Sequence, residues 1–517
     1  MQQEPGKSEC DEPKRADSAP DEESSAPRSL LRDRAVGLWS ADAAVVVRFA
    51  LAIVLVELSG TMLNGGVYPR LASYFGIGRE LSTLMNGAAF LAVGLLAALR
   101  PAAIDARRIS RALVPALLVT GGLLGFAVVA HDPVLTVLAL AVRAAGSTWA
   151  LVVLAVALVR LSDSRVILVL VGMGAVLSNW GFLVIPFEAG AYASAIAVVL
   201  CAIGPIVLVG FESEPFFARV RQASTAGTLG IDRLGGPTVL RDLALCMLFV
   251  SIGSGFGLTF NELNDSPQVT VIDGALLALV VLAVAVFEPY RRRHASAGAR
   301  TADDALFTVT VLCVLAGSLV ALLSFGQDTT FANVLLRVGR DVFDMLAWLV
   351  MYSIGRRNVF SLIPLLASMR VAASLGVTLG AIGGHRTNDL IASSPFTAQC
   401  FVAAFVFLFV AFLWVGFRDF SFGRLIEGVQ KVEERDVARM SDFINERCAE
   451  LAATYGLTAR ESEILGQLAR GRDGKFIAGE YVLSYNTVKT HIKHIYQKVG
   501  VHSRQELLDA VESGRVG

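Results

Sequence analysis

Twelve long apolar runs dominate this chain, and nothing else constrains its fold as tightly. A helix needs about 20 mainly apolar residues to cross the hydrocarbon core of a bilayer. Such runs fall near 44–63, 82–99, 112–131, 134–158, 166–187 and 189–210, then near 242–262, 269–289, 305–325, 331–354, 359–383 and 396–416. Backbone inside lipid must satisfy its own hydrogen bonds, which apolar runs of this length do as helices. The expected fold is all-α: a polytopic twelve-helix membrane bundle in two six-helix halves, 44–210 and 242–417, joined by a linker at 211–241. Composition agrees. Only 17% of the residues are charged, against about a quarter in a soluble chain.

Arginine sets the expected orientation. The connections after the second, fourth, sixth, eighth and tenth runs carry four, two, four, four and two Arg. Those after the odd runs carry two after the first, one after the eleventh and none between. Basic loops stay on the cytoplasmic side, so both termini are expected there.

Charges inside the runs point to an interior cavity, because they are costly in lipid and must face protein or water. They are Glu57, Arg143, Arg370 and, within "RVGRDVFD", Arg337, Arg340, Asp341 and Asp344. Spacing of i, i+4 pairs Arg337 with Asp341 and Arg340 with Asp344 on one helix face. Ion pairs of this kind also serve to hold a bundle together. If all converge, four guanidinium groups meet three carboxylates, and the spare cation favours an anionic small-molecule ligand held bidentately. Asn64, Asn179, Trp180, Asn261 and Glu262 are placed to line the outer part.

Two six-span halves about a polar linker resemble the major facilitator superfamily, over about 370 residues. The resemblance implies a central cavity between the halves, near the midplane. That family's glycine-rich loop after the second span reads "RPAAIDARRISR" here. It keeps Asp105, Arg107 and Arg108 but has no glycine, which counts against transport.

The flanks are polar. Residues 1–43 hold ten acids and six bases with few large apolar residues, the composition of a disordered tail. Residues 418–456 read as an amphipathic helical linker. The six cysteines show no metal-ligand spacing. No nucleophile–base constellation or phosphate loop is present, so the sequence points to neither an enzyme nor a cofactor or metal site.

Residues 457–517 are of a different kind. Three short helical patterns and a closing fourth follow one another. Thr458 with Glu461 forms a capping box. Gly471 marks a turn, Ser484 is an N-cap, and Gly500 ends the third helix. From Ser484 through Arg504 there are four Lys or Arg and no acid, a basic helix suited to the major groove. Lys489, Thr490 and Lys493 share its outer face, while Val488, Ile492 and Ile495 turn inward.

The segment resembles the LuxR-type (GerE-like) helix-turn-helix domain. The resemblance rests on Leu457, Thr458, Arg460, Glu461, Ile464, Leu465, Gly471, Ile477, Ala478, Ser484, Thr487, Val488, Lys489, His491, Lys498, Gly500, Val501, Ser503 and Arg504. Gly479 stands where Glu is usual. The resemblance implies a DNA interface of Ser484, Thr487, Val488, Lys489, Thr490, His491, Lys493, Lys498 and Arg504. Within it Lys489, Thr490 and Lys493 meet bases, and Thr487, Lys498 and Arg504 suit phosphate. His491 and His494 read as packed or phosphate-near side chains, since two ligands seldom make a zinc site. One such domain reads a half-site, so a homodimer on a two-fold operator in double-stranded DNA is expected. The fourth helix is the family's usual dimer surface. Together these readings imply a transcription regulator in a bacterial inner (cytoplasmic) membrane that senses a small molecule. The competing expectation is a transporter with an appended DNA-binding domain.

Overall fold

The computed structural model describes residues 43–161, 164–181, 190–225, 237–260, 267–294, 302–324, 329–358, 360–416, 434–470 and 472–513. The expected disordered tail, save its last residue, the first part of the 418–456 linker, and Asn261, Glu262 and Gly471 lie outside them.

Twelve long helices come first. They are α1 (Ala43–Met62), α2 (Gly78–Leu99), α3 (Ala106–Ala130), α4 (Pro133–Leu158), α5 (Ser164–Gly181) and α6 (Gly190–Thr225). Then follow α7 (Pro237–Thr259), α8 (Pro267–His294), α9 (Ala302–Leu323), α10 (Thr330–Arg357), α11 (Leu362–Ser393) and α12 (Pro395–Gly416). Among the described residues each expected run overlaps one of them, and no strand occurs. Nine of the twelve, as described, are long and apolar enough to span a bilayer. Among the described residues the apolar stretches of α5 and α8 are Val166–Gly181 and Val271–Val284. In α10 the apolar surface is interrupted by Arg337, Arg340, Asp341 and Asp344.

Local chemistry sets several ends. Asp132 caps α4, accepting from Val134 N at 2.9 Å and Leu135 N at 3.0 Å, with Pro133 opening the helix. Asp105 caps α3 through Arg108 N at 3.1 Å. One expectation shifts here. Helix α6 runs on to Thr225, well into the presumed linker at 211–241. Phe216 and Phe217 are buried there, and Phe217 stacks on Trp149 at 5.8 Å. The segment after Gly210 thus still has an apolar face to bury.

The halves meet through α2 against α11 and α5 against α8. Within the second half, α11 lies against α7 more extensively than any other pair of helices. Gly376, Gly380 and Gly384 recur every fourth residue along that seam. A Cβ on Gly380 would sit 2.1 Å from the Ile252 carbonyl oxygen. Only glycine lets the backbones approach so closely, and in lipid such packing is what joins helices.

The soluble C-terminal part has its own core. Its helices are α13 (Glu434–Thr454), α14 (Ala459–Ala469), α15 (Gly474–Glu480), α16 (Tyr485–Val499) and α17 (Arg504–Ser513). Ile464, Leu465, Ile477, Val488, Ile495 and Leu507 are wholly buried together. Cys448 and Leu451 from α13 join them, and α13 packs on α14 and α17. The helix expected as a linker is therefore a structural part of this domain. Its apolar positions every three to four residues cover faces of α14 and α17 that would otherwise be exposed.

Candidate DNA interface and membrane cavity

In the C-terminal domain, α15 and α16 stand as a helix-turn-helix pair. Asp473 caps α15, accepting from Phe476 N at 2.8 Å. Ser484 caps α16, accepting from Thr487 N at 3.1 Å, and its hydroxyl also meets the Thr487 hydroxyl at 2.8 Å. Gly500, at φ 80°, closes α16 in the left-handed conformation that glycine tolerates best. The turn between the two helices holds Val482 at φ 53°, a strained conformation for a β-branched residue.

The outer face of α16 is open. Lys489, Thr490 and Lys493 are exposed and line one shallow groove with Asn486, Tyr496 and Gln497. The Thr490 hydroxyl donates to Asn486 O at 3.0 Å. Neither Asn486 nor Gln497 was expected from the sequence, although both sit on the stripe of Lys489 and Lys493 at helical spacing. His491 is half-buried.

One of the expected DNA contacts needs correction, and two others have partners within the domain. Val488 is wholly buried in the domain core and has no surface to offer a base. Lys498 is already engaged: its ammonium donates to Glu461 Oε2 at 2.7 Å and Gly456 O at 3.1 Å. Glu461 is nearly inaccessible, at 3% exposure, and a carboxylate there requires a partner. The Lys498 hydrogen bond, with those from Thr458, holds the Glu461 carboxyl down at about 2. Lys498 thus ties α16 to the capping box of α14. Arg504, though exposed, donates to Arg472 O at 3.2 Å and braces the start of α17.

In the membrane bundle, a cavity of about 280 Å³ lies between the halves. Of the seven charged residues expected to converge, Glu57, Arg143, Arg340 and Arg370 line it. Asp344 stands behind them and is shared by two cations: Arg370 Nη1 donates to Oδ1 at 3.3 Å, and Arg340 Nε lies 3.8 Å from Oδ2. The i, i+4 pairing of Arg340 with Asp344 is thus present.

The other expected pair is not. Arg337 turns to Asp273 of α8, Nε to Oδ2 at 3.0 Å, while Asp341 is met by Asn179 Nδ2 of α5 at 3.5 Å. Neither Arg337 nor Asp341 lines the cavity. Asp273 is only 2% exposed, and this buried acid on a neighbouring helix outcompetes the local one. It lies four residues into the expected eighth run, where a charge reads as a helix end. With Asp273 included, four cations meet four acids, and the charge arithmetic alone no longer leaves one over.

Geometry does leave one. Arg143 is 2% exposed. Its Nη2 donates to Asn86 Oδ1 at 2.9 Å and Ser82 Oγ at 3.3 Å, both uncharged. Among the described residues no carboxylate pairs with it, and its Nε has no hydrogen-bond partner. Arg79, counted as a loop residue in the sequence, also lines the cavity, donating to Leu258 O at 3.4 Å. Asn64 is on the same wall, whereas Asn179 and Trp180 are not.

Comparison with known proteins divides along the same line. Residues 456–511 match the model of the bacterial regulatory proteins of the luxR family (GerE). The C-terminal domain is a LuxR-type helix-turn-helix. The same segment is similar to the HTH-type transcriptional regulator MalT of Serratia proteamaculans (strain 568), at 43% identity over 63 residues. That match takes in 12% of this chain and only 7% of the relative's length. The membrane helices are similar to the human organic anion transporter MFSD10, at 14% identity and a TM-score of 0.48, over 73% of this chain and 99% of that one. They are also similar to the proton:xylose symporter XylE of the major facilitator superfamily, at 11% identity and a TM-score of 0.45, over 72% of this chain and 95% of that one. These last two are likenesses of helix arrangement and nothing more. The chain is a multi-pass membrane protein carrying a LuxR-type DNA-binding domain.

Proposed function

We propose that this protein is a membrane-embedded one-component transcription regulator. The twelve-helix bundle binds a small molecule bearing an anionic group, and the helix-turn-helix answers by changing transcription. The observation that carries the reading is Arg143, a buried guanidinium on a cavity wall with only neutral partners. Such a cation is costly unless something pairs with it, and an anionic ligand fits that need.

A ligand shifts a conformational balance only if it binds the two states differently. Arg143 and Arg79 belong to the first half of the bundle, and Arg340 and Arg370 to the second. A molecule touching both groups is sensitive to how the halves are set against each other. The arginine bias of the loops supports a cytoplasmic DNA reader with both termini on that side, in the inner membrane of a bacterium. Pairing of two copies through α17 on a two-fold operator is the DNA-bound state we infer. In it Lys489, Thr490 and Lys493 read bases, with Ser484 and Thr487 at the start of α16 near phosphate.

The cavity between the halves also suits the competing reading, a transporter with an added DNA reader. One experiment separates them. Uptake of a radiolabelled effector into vesicles is measured beside transcription from the operator. A transcriptional response with no uptake supports the sensor. Uptake that survives Lys489→Ala while the response is lost supports the transporter.

A further inference from the structure

The charged wall of the cavity is not uniformly cationic. Around Arg143 stand neutral groups, Ser82, Asn86 and Tyr68, and the other cation on that side, Arg79, also lacks a carboxylate partner among the described residues. Glu57 stands in different company. The charged groups acting on it are Asp344, Arg370, Asp341 and Arg340. That cluster sets three carboxylates against two guanidinium groups. Both guanidinium groups are near Asp344, and no cation pairs with Glu57 among the described residues. The cavity therefore has one pole with cations to spare and another with a carboxylate to spare.

We propose that the cavity takes a small amphoteric molecule, its anionic group on Arg143 and its amine on Glu57. The proposal rests on the reading of this cavity as the ligand site. A plain anion would satisfy Arg143 but bring nothing to Glu57, a half-buried carboxylate on the cavity wall with no cation paired to it among the described residues. A plain amine would leave Arg143 in the same position. The volume of about 280 Å³ lies at the lower edge of ordinary ligand pockets, which span about 300–1,000 Å³, so the molecule is small.

The test uses purified full-length protein in lipid nanodiscs and two matched trios of probes, followed by calorimetry. One trio is 5-aminovalerate, valerate and pentylamine. The other is L-phenylalanine, 3-phenylpropanoate and 2-phenylethylamine. In at least one trio the amino carboxylate is expected to bind about tenfold or more tighter than either truncated partner. Glu57→Gln should bring the amino carboxylate down to the affinity of the carboxylate, and Arg143→Gln down to that of the amine. The truncated probes make the same comparison on the unaltered protein, so the outcome does not depend on either variant folding. Equal affinity for carboxylate and amino carboxylate, or no binding of either amino carboxylate at millimolar concentration, overturns the proposal. Selective binding that leaves operator-driven transcription unchanged supports the amphoteric site and overturns the sensor reading instead.

Discussion

Helix α16 and the membrane cavity are both built around basic side chains, yet they use them in opposite ways. On α16, Lys489 and Lys493 stand in solvent, and what holds the helix in shape lies within a turn or two: the Ser484 cap, the Gly500 stop and the inward face of Val488 and Ile495. In the cavity, Arg143 is buried, and its partners come from another helix. A solvent-facing cation is nearly free to hold and waits for phosphate or a base edge. A buried one must be matched by fold or ligand. The comparison separates cations that stabilise the molecule from cations that await a partner.

The largest effect should come from a cation whose partner is already in place. Arg337→Ala strands Asp273 in the bundle, with an expected loss of about 3–5 kcal/mol. Thermal unfolding in detergent should show it, and Asp273→Asn in the same chain should recover much of the loss. Arg143→Gln, by contrast, should shift the midpoint far less, since it leaves no acid behind. If the two variants destabilise equally, the division drawn above fails.

On the DNA side, Lys489→Ala and Lys493→Ala are each expected to weaken operator binding by about 1–3 kcal/mol with the fold intact, as fluorescence anisotropy would report. Lys498→Ala should act differently, lowering domain stability more than intrinsic affinity, because its ammonium serves Glu461.

Glu461 gives a pH test. Its folded carboxyl is held down at about 2, from an ordinary value of 4.5. A depressed acid stabilises the fold fully above its unfolded value, and that contribution fades as pH falls through the folded one. Hydrogen-exchange protection of α14 and α16 should therefore hold above about pH 4.5 and weaken toward pH 2. Glu461→Gln should flatten that dependence and remove about 2 kcal/mol at neutral pH. Protection that falls equally in both proteins would remove the Lys498–Glu461 tie from the account.

The smallest expected effect is a gain. Val482 is 92% exposed and sits at φ 53°. Val482→Asn should stabilise the domain by about 1 kcal/mol, visible as slower exchange in α15 and α16.

These cases also show why some features could be read from the sequence and others could not. The twelve helices follow from runs of apolar residues, and the caps of α14 and α16 from side chains three residues from the amides or hydroxyls they meet. Asp273 was missed because its partner is on another helix and its position resembles a helix end. The pairing of Asn179 with Asp341 joins residues 162 apart, and no local pattern encodes that. Val488 belongs to the family motif but also to the core. Only burial separates a motif residue that packs from one that touches DNA. Lys498 has the charge for phosphate, and the geometry of Glu461 gives that charge a partner within the domain, which no local pattern announces. The extension of α6 beyond Gly210 was hidden because its apolar residues are spaced for one buried face rather than for lipid all round.

In the regulator we propose, occupancy at Arg143 governs what Lys489 does on DNA. The most direct measurement is transcription from the operator in cells carrying the full chain, its Arg143→Gln form or its Lys489→Ala form, with and without the amino carboxylate probes. Arg143→Gln protein is expected still to bind operator DNA in vitro but no longer to respond to the probe, whereas Lys489→Ala loses both. An unaltered response in the Arg143→Gln strain would contradict it.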